Sequence, residues 1–235
     1  MCEAWLKAHK KYTWEVDLSR FRGSQNYEGY FNKTIQSPDV LEFENKFRIA
    51  LNNNEYVVAG EVYYWKNYGN HQARNRVAIS LLTYLKDFEN WNGFIQAIER
   101  VSNNPTFENF ITLQKACNQQ RGFATLITFI AFYKPSEYPM VDKHIANWWR
   151  LNKDRFNYAN SQEFSQRNDG WIQAITITQK RQNWNAYLAW KEFCTDYARR
   201  LARNCKFDWR ARDVEMAVWE AFKNKISLSI IPSVS

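Results

Sequence analysis

Between Asn118 and Trp149 the chain sets out residue types that could grip an anion and then act beside it. A polar run, Asn118-Gln119-Gln120-Arg121-Gly122, precedes an apolar stretch in which Phe123, Leu126, Ile127, Ile130 and Ala131 recur at helical spacing. The start of such a helix offers backbone amides and the positive end of a helix dipole, which together favour a phosphate oxygen. Gly122 allows another backbone to come close, and Arg121 adds a charged donor. Pro135 and Pro139 then stop the helix and stiffen a loop. That loop delivers Asp142, in Val141-Asp142-Lys143-His144-Ile145, just ahead of a helical run from His144 to Trp149. On structural grounds alone an aspartate there is an N-cap. The same position also suits a carboxylate that acts on whatever the preceding amides hold, and the two roles are compatible.

The elements that must position these residues read as helices. Lys115 to Gln120 closes one helix, and Arg121-Gly122 makes the reversal into the next, a hairpin of two helices. Ser37-Pro38 and Asn104-Pro105 each pair a capping side chain with a proline suited to the first helical position, ahead of Leu41 to Ala50 and Phe107 to Ala116. Ala78, Leu81, Leu82 and Leu85 mark another helix, as do Trp91, Phe94, Ile95 and Ile98. Two more cover Trp184 to Arg203 and Arg212 to Phe222. Tyr56 to Tyr64 and Ala174 to Thr178 carry β-branched and aromatic residues that suit strands, although both also suit helices. The tail from Ile226 to Ser235 is left unassigned.

Composition narrows the classes. A chain of 235 residues with 45% hydrophobic residues folds as one domain or as two small lobes sharing a core. Its net charge of +8 points to an anionic partner, with nucleic acid the commonest. No window reaches the length of a spanning helix, and Met1-Cys2-Glu3-Ala4-Trp5-Leu6-Lys7 lacks the apolar run of a signal peptide, so the expected location is cytoplasmic and no membrane is implied. Cys2, Cys117, Cys194 and Cys205 are scattered, which predicts reduced, packed thiols and no zinc site. His9, His71 and His144 do not cluster with carboxylates, and no metal is implied.

Gln120-Arg121-Gly122-Phe123-Ala124, the apolar helix ending in Ala131-Phe132, Pro139 and Val141-Asp142-Lys143-His144-Ile145 together resemble the helix-hairpin-helix superfamily of DNA glycosylases, and within it the group with the 8-oxoguanine glycosylase type of fold. Arg212-Asp213-Val214-Glu215-Met216-Ala217 is more weakly similar to a closing helix of bacterial members. The resemblance implies a mainly α, two-lobed glycosylase-like unit over residues 1–235, with the hairpin and active-site segment at about 106–150. It implies Asp142 as the catalytic carboxylate. Asn118, Gln119, Arg121, Gly122, Lys143 and His144 become the DNA contacts. The partner would be double-stranded DNA containing a damaged base, met by a monomer without cofactor. The chain departs from the family in two places. Asn118 and Gln120 stand where the hairpin usually has glycines, and Gly122, Phe123 or Thr125 stands where lyase members carry a nucleophilic lysine. The four grouped cysteines of an iron–sulfur cluster are also missing.

These departures favour hydrolysis by water. Cleaving an N-glycosidic bond builds oxocarbenium character on the sugar, which one carboxylate stabilises while it orients or deprotonates water. Strand nicking through a Schiff base would require an amine. Tyr64, Trp65 and Trp148 are candidates for a pocket that holds an extruded base, against the simpler reading that aromatics at helical spacing build core. Arg74, Arg76, Arg199, Arg200, Arg203, Lys206, Arg210 and Arg212 would form a phosphate-tracking surface, where a solvated charged face is the simpler reading. A DNA-binding protein that has lost catalysis and a basic helical interaction module remain as alternatives. If phosphate contacts dominate binding, affinity for a DNA duplex falls steeply as salt rises, which binding titrations at two ionic strengths would measure.

Overall fold

A computed structural model describes residues 2–22, 34–36, 39–118, 122–156 and 181–231. Among them the chain is mainly helical, as the periodicity and caps predict. The helices are α1 (Cys2–Lys10), α2 (Val40–Asn52), α3 (Val57–Lys66), α4 (Arg74–Leu85), α5 (Phe88–Asn103), α6 (Phe107–Ala116), α7 (Phe123–Tyr133), α8 (Lys143–Phe156), α9 (Arg181–Asn204) and α10 (Ala211–Lys223). Two-residue strands β1 (Val16–Asp17) and β2 (Thr34–Ile35) pair antiparallel, and a 3-10 turn covers Leu18–Arg20. The contacts divide the chain into one unit of Met1–Tyr12, Arg121–Ala124 and Lys134–Ser235, and another of Thr13–Gln120 and Thr125–Tyr133.

The second unit is built around α3. Every residue from Val57 to Trp65 is buried, so the β-branched and aromatic run that suits a strand is instead a helix enclosed on all sides. α3 meets α4 closely because residue 60 is glycine: a Cβ there would lie 2.5 Å from Cγ and Cδ2 of Leu82. Phe129 and Phe132 of α7 add edge-to-face contacts, with Phe94 at 5.1 Å and Phe43 at 5.2 Å. The caps are local. Asp87 accepts from the amides of Glu89 and Asn90 at the start of α5. At α6 the cap is Thr106, whose hydroxyl accepts from Asn109, rather than the expected Asn104-Pro105. Pro105 stands two residues ahead of the first helical position, Phe107, where that device would need it. Ser37-Pro38 and the Ala174–Thr178 stretch lie outside the described residues.

The first unit packs α1, α8 and α9 on α10. Every residue of α10 from Ala211 to Ala221 is buried, including Arg212, Asp213, Glu215 and Glu220. A helix enclosed in this way must pair its charges internally. Arg212 bonds Glu215, Asp213 receives Arg210, and Glu220 receives Asn224. Residues 224–231, the described part of the tail beyond α10, carry no helix or strand and are tied down through carbonyls, with the Trp5 indole donating to Ser229 at 2.7 Å and Arg200 to Ile231 at 3.0 Å.

The cysteine expectation is corrected. Cys2 and Cys205 form a disulfide, their Cα atoms 5.7 Å apart, joining the start of α1 to the end of α9; Cys117 and Cys194 are buried free thiols. Sequence spacing could not reveal this pair because the partners stand 203 positions apart. Disulfides persist in oxidising surroundings, so the pairing weighs against the cytoplasmic expectation. Closing so long a loop restricts the unfolded chain, and Cys205→Ser should lower unfolding free energy by about 2–4 kcal/mol in denaturant titrations. The denatured, unreduced protein should titrate two thiols, not four.

Candidate functional site

Asp142 sits at the end of a loop that follows α7, and this loop is held through its backbone. Its carbonyls at Pro135 and Ser136 accept from the Arg212 and Ala211 amides at 3.1 and 3.2 Å. Those amides open α10 and have no partner within the helix. Further along, the Glu137 carbonyl accepts from the Thr195 hydroxyl at 3.3 Å, Pro139 from the Tyr187 hydroxyl at 3.0 Å, and Met140 from the Trp190 indole at 2.9 Å. Five carbonyls in six residues are therefore bonded to α9 or α10. The proline stiffness read in the sequence is reinforced by side chains that the sequence alone could not locate.

The Asp142 carboxylate is half-buried, and each of its oxygens accepts a hydrogen bond. Oδ1 accepts from the backbone amides of His144 at 2.8 Å and Ile145 at 3.0 Å, so Asp142 is the N-cap of α8. Oδ2 accepts from the Trp219 indole of α10 at 3.0 Å. The Trp219 ring stands edge-on to Tyr12 at 5.4 Å and to His144 at 5.6 Å. Burial pushes the Tyr12 phenol well above its usual range, the Arg212 guanidinium pulls it down, and the Glu215 and Asp142 carboxylates push it up again. Tyr12 is thus a neutral phenol beside a carboxylate, an arginine and a glutamate.

The sequence-predicted site residues fall as follows. Lys143 is exposed on the first turn of α8, and His144 packs between Trp219 and Phe222, 5.6 Å from each. Trp148 is buried against Phe156 at 5.2 Å and Phe193 at 6.1 Å. Gly122 has a φ of 103°, a conformation that L side chains rarely adopt, immediately before α7. Gln119 and Arg121 lie outside the described residues. In the other unit, Asn118 is exposed with a φ of 49°, the left-handed residue that ends α6. It borders a shallow polar depression with Ser80, Thr83, Tyr84, Asp87 and Asn90. Trp65 and Tyr64 are core side chains there, Trp65 against Phe132 at 5.4 Å and Tyr64 stacked on Phe21 at 4.9 Å.

The basic cluster is corrected in part. Arg212 is wholly buried against Glu215 and cannot reach a phosphate. Arg210 pairs with Asp213 at 2.7 Å, Arg200 with Asp196 at 2.6 Å, and Arg74 donates to the Tyr68 carbonyl while lying over the Tyr68 ring. Arg76, Arg199, Arg203 and Lys206 are exposed. The residues that sequence reasoning missed are Trp219 and Tyr12, which no spacing connects to Asp142. Among the described residues no group of three or more His, Cys, Asp or Glu side chains could hold a metal ion, and no helix is long and apolar enough to cross a membrane.

Asp213 sets a pH dependence. Burial alone would raise its carboxyl, but hydrogen bonds from His9 and Arg210 and the Arg210 charge outweigh that and hold it well below the usual carboxylate range. Its stabilisation is therefore complete above the ordinary aspartate value of about 4 and is lost as pH falls from there towards the lower folded value. Thermal melts between about pH 6 and 3 should show stability falling below about pH 4, with a shallower acid slope in Asp213→Asn.

No family model matches the chain, and neither the curated proteins nor the solved structures include a match.

Proposed function

We propose that the protein is a monofunctional DNA glycosylase, a monomer that extrudes a damaged base from duplex DNA and hydrolyses its N-glycosidic bond. The observation that carries the reading is the seating of Asp142, a carboxylate at a helix start on a loop whose carbonyls are bonded to two other helices. Catalysis through charge stabilisation depends on groups that need not reorganise as charge develops. A carboxylate fixed by three donors meets that demand beside an oxocarbenium-like sugar, and one carboxylate with water suffices for hydrolysis. The exposed Lys143, the positive φ of Gly122 just ahead of α7, and the net charge of +8 support phosphate binding nearby in sequence. Phe123, a core residue, stands among the places where lyase members carry an amine, which supports hydrolysis over Schiff-base chemistry.

One observation favours a second reading, a DNA-binding protein without catalysis. Both Asp142 oxygens already accept hydrogen bonds from the protein itself, as a purely structural cap would. Duplexes carrying 8-oxoguanine, uracil, alkylated purines or mismatched adenine, assayed for abasic sites with and without alkali, separate the two readings. The glycosylase should leave abasic sites that break only on alkali treatment, and Asp142→Asn should lower excision by about a hundredfold or more with duplex affinity retained. Binding without excision on every duplex would favour the second reading.

A further inference from the structure

We propose that Trp219 is a positioning residue for Asp142, setting the plane of the carboxylate that faces the sugar. The inference rests on the glycosylase reading above. The helix amides hold only Oδ1, which leaves the carboxylate free to pivot about that anchor. The indole bond to Oδ2 removes the pivot. An indole N–H suits the task because it only donates: it cannot accept a proton and so cannot take the carboxylate's place as the base. The indole is itself constrained. Trp219 is 6% exposed, its ring meets Tyr12 and His144 edge-on, and the Lys223 ammonium lies 5.0 Å from its centroid. The Tyr12 ring in turn lies 5.7 Å from the guanidinium of Arg212, which Glu215 holds. A chain of contacts therefore leads from a buried ion pair to the orientation of one carboxylate oxygen.

The tests are single-turnover excision rate, duplex affinity and melting temperature for three variants. Trp219→Phe removes the donor, and replacing Trp219 by benzothienylalanine swaps only the ring N–H for sulfur. Trp5→Phe is the control, since Trp5 is another buried tryptophan of the same unit whose indole bonds the Ser229 carbonyl instead. Misplacing a catalytic group by a fraction of an ångström is costly, so both changes at Trp219 should slow excision by roughly ten- to a hundredfold with affinity within about twofold of wild type. Trp5→Phe should lower the melting temperature without slowing excision. If wild type excises and the Trp219 variants excise equally fast, or if Trp5→Phe slows excision as much as they do, this inference is overturned alone. A wild type that excises no base overturns the function reading and this inference with it.

Discussion

The first unit depends on the burial of α10. A helix enclosed along its length cannot leave the amides of its first turn to water, and unpartnered donors there would cost about 1–3 kcal/mol each. The carbonyls of Pro135 and Ser136 satisfy two of them, and the Arg210–Asp213 capping box orders the same turn. The loop after α7 is therefore fixed by a requirement of a helix more than seventy residues further along the chain. Two turns on, α10 returns to the end of the same loop, where Trp219 meets Asp142.

The electrostatics follow from the same enclosure. Arg212 and Glu215 lie one turn apart on a helix without access to water, so each stabilises mainly by compensating the other. Removing either alone would leave a buried charge, at a cost of about 3–5 kcal/mol, whereas replacing both with apolar residues of similar volume could be nearly neutral. The pair lies beside Tyr12, whose ring meets Trp219 edge-on, and Trp219 is the indole that donates to Asp142. The arginines of α10 and its approach thus serve the interior, and the exposed Arg199, Arg203 and Lys206 are left to supply positive surface.

The helices were legible where one face is apolar and the other polar, as in α5 and α9. α3 was ambiguous because burial on every side erases periodicity, and only its packing around Gly60 decides for helix. The cap before α6 was misplaced by two residues because Asn104, Pro105 and Thr106 all suit a helix start, and the hydroxyl of Thr106 wins by reaching the Asn109 amide. Asp142 was legible as a cap because its cap bonds reach no further than Ile145. Trp219 was not, since its hydrogen bond spans 77 positions.

By itself the sequence determined what depends on neighbours along the chain: helical character, the proline-stiffened approach to Asp142, and an excess of positive charge. Tertiary structure decided what depends on burial and distance: which arginines face inward, that Cys2 meets Cys205, that Trp65 and Trp148 are core, and that Asp142 has a third donor. The physical reason is that periodicity and capping act over a few residues, whereas the pairing of a buried charge or the partner of a carboxylate is set by whichever segment folding brings beside it.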